Sequence, residues 1–298
     1  MSWKCYRIVY NALSSIHICS HRLGIINRTR YYIPGKSLWA AITADITRTY
    51  FKYEDYEEVG KAIKNIIIPG YLFTAIEPSK PFLPYFNGID MKFGTFNLYE
   101  YESKFISSFG QTAIDKTSRN AEEATLHETE YINPYLEYDY KIKQVYFIGN
   151  ILIKDKANLL RKSISWNDKK YSDIPIKEIL KEICIGGERK YGFGRLNLNY
   201  ELSVEQYDFF GYEINLTDTK PYLLIPKNNP ILAHLKFDDD IQITGDIEPL
   251  VGREWKDDRG GSGHYISPAQ ICYIPGSITL KDYNIEIDGL GIWKKANL

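Results

Sequence analysis

Sulfur is scarce in this sequence, and its distribution excludes two kinds of site. The 298 residues contain two Met and four Cys, and the cysteines are far apart with no Cys-x-x-Cys pair. Zinc knots and dithiol redox motifs need closely spaced cysteines, so neither is expected. Free, mostly buried thiols in a reducing cytosol are the simplest interpretation. We therefore expect a cytoplasmic protein without a bound metal or cofactor.

Long apolar runs are also absent. No stretch of 18 apolar residues occurs, which predicts that no helix spans a membrane. The sequence opens on a strand-like run instead of a basic and then apolar leader, so no signal peptide is expected. Hydrophobic residues make up 44% and charged residues 25%. This balance is typical of a globular protein that buries a substantial core.

Charge of one sign does not dominate the whole chain, but it is unevenly distributed. The formal net charge is −1, so binding of a polyanion would require local basic patches. Residues 1–50 carry seven Lys or Arg and one acid, whereas residues 121–139 carry six acids and no Lys or Arg. One face could thus meet a polyanion while another meets proteins. Ordinary solvated faces would produce the same pattern.

The hydrophobic periodicity predicts alternating strands and helices. Leu38, Ile42 and Ile46 lie at i, i+4 spacing after a candidate N-cap, Ser37, and so predict an apolar helix stripe. In chain order, we predict a strand at 4–19, a helix from 37, a helix at 55–66, irregular insertions at 67–142, a strand at 143–153, a helix at 173–184 and a strand at 195–203.

This order of elements favours a particular fold class and two domains. Strands that alternate with helices and also pair as neighbours suit an α+β, ferredoxin-like sandwich. We assign residues 1–203 to this domain, with an inserted arm at about 67–142. Residues 204–298 have several short strand patterns and turn signals, and they predict a smaller β-rich domain.

A glycine-rich segment at 186–195 is the first candidate binding motif. Four of its first nine residues are Gly, and Arg189, Lys190 and Arg195 add positive charge. Glycine permits φ > 0, and successive amide groups in such a loop can form an anion-binding concavity. The segment is neither a P-loop nor a dinucleotide fingerprint, because it follows a helix, precedes a strand and lacks Gly-Lys-Ser/Thr. A flexible hairpin without a ligand is an equally simple interpretation.

A basic segment that leads into a helix is the second candidate motif. Arg28 and Arg30 precede the turn Ile33-Pro34-Gly35, and Lys36 follows it at the start of the predicted helix. A helix N-terminus favours anions, and these side chains would strengthen that preference. We expect the segments around Arg28 and Arg189 to share one cationic groove.

Together these motifs resemble the RAMP superfamily of CRISPR-associated proteins. The resemblance rests on YYIPGKSLWAAI (31–42), on IGGERKYGFGRL (185–196) and on TAIDKTSRNAEEATLHETEYI (112–132), which is similar to the extended arm of such subunits. It covers roughly the first 200 residues. It implies a ferredoxin-like RAMP domain that resembles a modified RNA-recognition (RRM-like) fold, a degenerate second RAMP-like domain and a role in guide-RNA (crRNA) binding. The implied RNA-binding residues are Arg28, Arg30, Lys36, Ser37, Gly186, Gly187, Arg189, Lys190, Phe193 and Arg195.

The resemblance leaves three roles open. Backbone subunits of type III complexes cut target RNA with an Asp in the loop before the Ile-Pro-Gly turn. The corresponding loop here, at 21–32, contains no Asp or Glu, so target slicing is not supported. The repeat-processing endoribonuclease has its glycine-rich loop near the C-terminus, whereas about a hundred residues follow the loop here. The capping subunit that binds the guide's 5′ handle matches this layout best. A backbone subunit without slicing activity is the close alternative, and the endoribonuclease is the enzymatic one.

Other residues have weaker functional interpretations. His17 or His21 could act as a general base on a 2′-hydroxyl, but a buried, hydrogen-bonded histidine is the simpler expectation for His17. The acidic run 238–240 could face the large polymerase-like subunit that neighbours the capping subunit in this family, and the arm at 112–132 could contact target RNA. Trp255, in the turn-like segment 252–255, is expected to anchor a docked turn.

Overall fold

The structure is a computed structural model that describes residues 3–51, 55–154, 176–216, 220–256 and 261–296. Part of the predicted helix at 173–184 therefore lies outside the described residues. No helix within these ranges is both long and apolar enough to cross a membrane.

The first 206 residues contain all four described α-helices and sixteen strands. In chain order they are β1 (Trp3–Ala12), β2 (Cys19–Leu23), β3 (Ile26–Thr29), β4 (Tyr32–Ile33), α1 (Gly35–Tyr50), α2 (Tyr56–Ile66), β5 (Ile67–Ala75), β6 (Pro84–Phe86), β7 (Met91–Phe93), β8 (Phe96–Asn97), α3 (Leu98–Phe105), β9 (Ile106–Gln111), β10 (His127–Ile132), β11 (Tyr135–Tyr138), β12 (Lys141–Gln144), β13 (Tyr146–Lys154), α4 (Ile176–Lys181), β14 (Glu182–Cys184), β15 (Arg195–Leu198) and β16 (Glu205–Gln206).

The main sheet has the strand order of a ferredoxin-like fold. Its order is β14-β15-β1-β13-β5-β4, and β16 pairs with β1. The pairs β15–β1, β1–β13 and β13–β5 are all antiparallel. Numbered by position in the chain, the four core strands β1, β5, β13 and β15 thus lie in the order 4-1-3-2. Helices α1 and α4 occupy the two crossovers of this βαββαβ unit.

Helix α1 packs through the stripe that the sequence predicted. Leu38, Ile42 and Ile46 are all buried. The predicted cap is wrong, however, because the helix begins at Gly35 with Pro34 as the N-cap residue and with no side-chain cap. The Pro34 carbonyl accepts hydrogen bonds from the amides of Ser37 and Leu38. Proline suits this position because it has no amide hydrogen to satisfy there and its φ is fixed.

The region predicted as insertions begins with a core strand instead. All nine residues of β5 are buried, and β5 pairs with β13 along its length. Pro69 and Gly70 suggested irregular structure, but they lie where the register shifts between Gly149 and Ile151. A β-bulge tolerates the missing proline amide. The insertion proper therefore follows Ala75.

The insertion between β5 and β13 builds three small units. Strands β6–β8 form a three-stranded sheet next to α3, and β11 and β12 form a hairpin. Strands β9 and β10 join β2 and β3 in a four-stranded sheet, in which β10 and β3 are parallel. The segment 112–126 projects beyond β9 and β10 and is almost entirely exposed. This segment forms most of the extended arm that the sequence suggested at 112–132.

The remaining residues form a second set of sheets. The strands are β17 (Asp208–Phe209), β18 (Tyr212–Asn215), β19 (Tyr222–Ile225), β20 (Leu235–Lys236), β21 (Ile243–Thr244), β22 (Ile247–Leu250), β23 (Arg253–Lys256), β24 (Gly261–Ile266), β25 (Gln270–Tyr273), β26 (Ile278–Thr279), β27 (Tyr283–Ile287) and β28 (Trp293–Lys295). Eight of them pair in the order β17-β18-β19-β27-β28-β20-β25-β22, and β23 and β24 form a separate hairpin.

The two large sheets share one hydrophobic core. A single cluster of buried side chains runs from Trp3 in β1 to Trp293 in β28. Gly70 in β5 lies so close to the Phe209 ring that a Cβ atom there would come within 2.9 Å of it. The second set of sheets is therefore packed directly onto the first, and it brings β23 alongside α1 and α2.

Candidate nucleic-acid interface

The glycine-rich loop is anchored on the segment that follows β1. Gly186 has φ +82°, and a Cβ atom there would lie 2.2 Å from the His17 carbonyl oxygen. The amide of Gly187 donates to the His17 carbonyl at 2.9 Å, and the amide of Gly194 donates to the Ser15 carbonyl at 2.8 Å. These glycines allow close approach of two chain segments. The Gly187 amide is thus engaged within the protein, and Gly186 fills a packing role.

A basic groove lies between this loop, α1 and β23. Its cavity measures about 710 Å³ and is floored by small side chains of α1, including Ala40, Ala41 and Ala44. Arg48, Arg189, Lys190 and Arg253 line it, and no Asp or Glu is among its lining residues in the described part of the chain. Such a concentration of cations around one cleft favours an anionic ligand.

Two aromatic side chains form one wall of the basic groove. The rings of Tyr56 and Trp255 lie 5.4 Å apart at an angle of 36°, and both side chains are half-buried. Burial raises the pKa of Tyr56 to about 12, while the nearby Arg189 guanidinium acts in the opposite direction. Cations and partly exposed rings therefore occur together, a combination that suits the phosphates and bases of a single strand.

The other predicted cations form ion pairs within the protein. Arg28 pairs with Glu102 at 2.9 Å and Glu130 at 3.0 Å. Arg30 binds both carboxylate oxygens of Glu248, at 2.5 and 3.2 Å.

Lys36 pairs with Glu254 of β23 at 2.6 Å. Arg30 and Lys36 thus connect the two sets of sheets, whereas Arg28 connects β3 to β10 and α3.

Three further residues were predicted to bind RNA: Ser37 of α1, and Phe193 and Arg195 at the end of the glycine-rich loop. Ser37 lines the basic groove from α1. The Phe193 ring makes an edge contact with Tyr131 at 5.2 Å, and the exposed Arg195 pairs with Glu182 at 2.6 Å. Of the residues predicted to bind RNA, the groove therefore brings together Ser37, Gly186, Arg189 and Lys190.

The segments around Arg28 and Arg189 do not form the one groove that the sequence suggested. Arg28 lines a separate hollow together with Glu102, Glu128 and Glu130. One arginine and three carboxylates give this hollow a net negative charge, whereas the groove around Arg189 has no carboxylate among its described lining residues.

The histidines differ sharply in environment. His17 is buried, and its Nδ1 lies 2.6 Å from the Glu130 carbonyl oxygen, which makes Nδ1 the donor. His21 is exposed in β2 and contacts Ser20. Among the described residues no group of three or more His, Cys, Asp or Glu side chains is arranged to hold a metal ion.

Sequence reasoning missed the contributions of α2 and β23 to the groove. Tyr56 lay within a helix predicted at 55–66 without a binding role, and Arg48 was counted only among the cations of residues 1–50. Arg253 stands about sixty residues from the loop, so only the tertiary structure unites it with Arg189. Trp255, two residues further on and expected to anchor a docked turn, was the one sequence feature that could have indicated a role for this segment.

Comparison with known proteins bears on the fold. No family model matches the chain, and no curated protein matches it. A chain in the cryo-EM structure of the type III-B Cmr-beta complex bound to cognate target RNA aligns with a TM-score of 0.54 at 12% identity, over 92% of this chain and 86% of that one. A chain of the same complex bound to target RNA and AMPPnP aligns with a TM-score of 0.51 at 11% identity, over 92% and 85%.

The chain shares its fold with a chain of the type III-B Cmr-beta complex. At 12% identity the structural similarity concerns the fold alone, and it covers 92% of the chain, which includes both sets of sheets. It confirms the α+β, ferredoxin-like fold that the strand order indicates.

Proposed function

We propose that this protein is a guide-RNA-binding subunit of a type III CRISPR effector complex, without catalytic activity of its own. The observation that carries the proposal is the basic groove, in which Arg189, Lys190, Arg253 and Arg48, the last also paired with Asp45 at 3.6 Å, line a cavity with no carboxylate among its described lining residues. Phosphate contacts from Lys and Arg supply most of the sequence-independent affinity for RNA. The fold supports the proposal because the neighbours belong to a complex that binds target RNA.

We further propose that the bound segment is the 5′ handle and that the protein caps the complex there. The glycine-rich loop stands in the middle of the chain and a complete second set of sheets follows it, as in the capping subunits that the sequence resembles. In this arrangement the acidic run 238–240 would face the large subunit, the arm at 112–132 would reach target RNA, and backbone subunits would be the other neighbours. A backbone subunit without slicing activity is the alternative.

The test removes two charges from the groove. We expect the double variant Arg189→Ala/Lys190→Ala to weaken binding of single-stranded guide RNA by the full-length protein about tenfold or more. Each lost phosphate contact should reduce the slope of log affinity against log salt by about 0.7. Fluorescence anisotropy over a salt series measures both quantities, and crosslinking within the reconstituted complex identifies the nucleotides involved.

A matched control is the double variant Lys227→Ala/Lys281→Ala. Both lysines are exposed on the second set of sheets, so the same charge is lost away from the groove. Affinity and slope should match those of the wild type. Equal loss of binding in the two double variants would contradict the groove assignment, and cleavage of repeat RNA by the purified wild type would favour the endoribonuclease.

A further inference from the structure

A second, smaller cavity of about 150 Å³ lies on the other side of Trp255. We call it the lysine cavity, because α1, α2 and β23 surround it with Lys36, Lys61, Lys64, Arg253 and Lys256. Glu57 and Glu254 are its only acidic lining residues in the described part of the chain. They pair with Lys256 at 3.3 Å and with Lys36 at 2.6 Å. Five cations therefore face two carboxylates.

Neither carboxylate forms a direct ion pair with Lys64, because Glu254 pairs with Lys36 and Glu57 pairs with Lys256. The Lys64 Nζ lies 4.5 Å from the centre of the Trp39 ring, over the ring face. Burial lowers the pKa of Lys64, Glu254 and Asp288 raise it, and Lys36 and Lys256 lower it further. Half-burying an ammonium group beside two other cations is costly unless an anion compensates it.

The backbone leaves room for this cluster of charges. Gly252 precedes β23, and a Cβ atom at its position would lie 3.2 Å from the Lys36 Nζ. Gly289 lies against Lys64 in the same way, since a Cβ atom there would be 2.8 Å from the Lys64 Cβ. Any larger residue at either position would press on a lysine that lines the cavity.

The lysine cavity continues the basic groove. Ala40, Tyr56, Arg253 and Trp255 line both cavities. The Tyr56–Trp255 pair thus stands between them, and Arg253 can reach an anion on either side. Successive phosphates flank each base of an RNA strand. A strand that places one base against these rings therefore presents a phosphate to each cavity.

We propose that the lysine cavity is a phosphate subsite, in which Lys64 and Arg253 hold one phosphate of the RNA strand that lies in the basic groove. This inference rests on the proposed function. The phosphate is either an internal phosphodiester or the terminal monophosphate of the strand, and the experiments below distinguish the two sources.

The experiment uses the full-length protein and an oligouridylate of about a dozen nucleotides. We expect Lys64→Met to weaken binding about three- to tenfold and to reduce the salt slope by about 0.7. Methionine retains the apolar stem on Trp39, so the change removes charge and little packing. Lys64→Arg should retain the slope, and urea denaturation checks that each variant is folded.

Neutral methylphosphonate linkages, placed one at a time, identify the source of the phosphate. At one internal position the substitution should weaken binding to the wild type but not to Lys64→Met. A terminal site would instead show as a preference of the wild type for 5′-phosphorylated RNA over the 5′-hydroxyl form, and that preference would be lost in Lys64→Met.

The two proposals fail in different ways. If Arg189→Ala/Lys190→Ala weakens binding while Lys64→Met changes neither affinity nor slope, the phosphate subsite is wrong and the groove stands. If neither variant weakens binding relative to Lys227→Ala/Lys281→Ala, the RNA-binding function itself is wrong.

Discussion

At the scale of single residues, the same type of side chain serves two purposes in this protein. Arg28 and Arg30 are held by carboxylates, whereas Arg189 and Lys190 are exposed beside a cavity. A cation that already has a partner at 3 Å gains little from a phosphate, because it must first give up that partner. The first pair therefore organises the structure, and the second pair is suited to binding.

This distinction predicts different effects for two arginines. Arg28→Ala should lower the free energy of unfolding by about 1–3 kcal/mol, because it leaves Glu130, whose side chain is only 12% exposed, without its charged partner. The salt slope of RNA binding should be unchanged. Arg189→Ala should have the opposite pattern, with a reduced slope and unchanged stability. Urea denaturation and anisotropy measure these quantities, and a reduced slope for Arg28→Ala would show that it contacts RNA.

At the scale of elements, the glycine-rich loop depends on two kinds of glycine. Gly186 and Gly194 have positive φ and stand against the carbonyl groups of His17 and Ile185, where a Cβ atom would come within 2.2 and 2.1 Å. Gly192 also has positive φ, +85°, but nothing lies within 4 Å of a Cβ atom there. Gly186 and Gly194 therefore require glycine for two reasons: their φ angles are positive, and no Cβ atom fits beside the neighbouring carbonyl groups.

Alanine substitutions should separate these two requirements. Gly192→Ala should cost about 1–2 kcal/mol of stability, the penalty of a left-handed conformation alone. Gly186→Ala should cost more, because the loop must also move away from the segment at His17, and this movement should weaken RNA binding through Arg189. Urea denaturation of both variants measures the loss of unfolding free energy. Equal losses would mean that the close contact between Gly186 and the His17 carbonyl does not affect stability.

At the scale of the whole molecule, a buried polar network fixes the second set of sheets on the first. His234 is fully buried, and its Nδ1 lies 2.6 Å from the Tyr71 hydroxyl of β5. Its Nε2 contacts Glu248, which in turn binds Arg30. Burial lowers the pKa of His234 below its usual value of 6.5, so the ring is neutral at pH 7. Nε2–H then donates to the carboxylate, and Nδ1 accepts from Tyr71.

This network predicts acid sensitivity. Burial alone would raise the pKa of Glu248, but hydrogen bonds from His234 and Arg30 outweigh it and lower the pKa from 4.5 to about 2. The unfolded state therefore binds more protons between these values. The stability from Glu248 is present above about pH 4.5 and is lost as the pH falls towards 2.

Glu248→Gln tests the network. At pH 7 the variant should lose about 2 kcal/mol of stability, because Arg30 remains buried without a carboxylate. The difference between variant and wild type should shrink as the pH falls from 5 to 2. Urea denaturation at several pH values measures it, and a difference that does not change with pH would mean that Glu248 is not ionised in the folded protein. Glu213→Gln, at an exposed site, is the control.

The sequence predicted several elements of the first set of sheets for physical reasons that act locally. The stripe at Leu38, Ile42 and Ile46 identifies α1, because a helix repeats every 3.6 residues. The alternation around Phe147 identifies β13. Strand β5 was missed because Pro69 and Gly70 usually interrupt a strand, and the bulge that accommodates them depends on β13, eighty residues later.

The sequence by itself determined helix α1, strand β13, the position of the glycine-rich loop and the ferredoxin-like fold class, which the fold comparison bears out. These features follow from local periodicity and from the few residues that permit special backbone conformations. Only the tertiary structure decided which cations are neutralised and which face a cavity. Charge pairing depends on distance in space, and Arg30 meets Glu248 across 218 residues of chain. The groove exists because β23 folds back beside α1 and α2, and no local pattern encodes that contact.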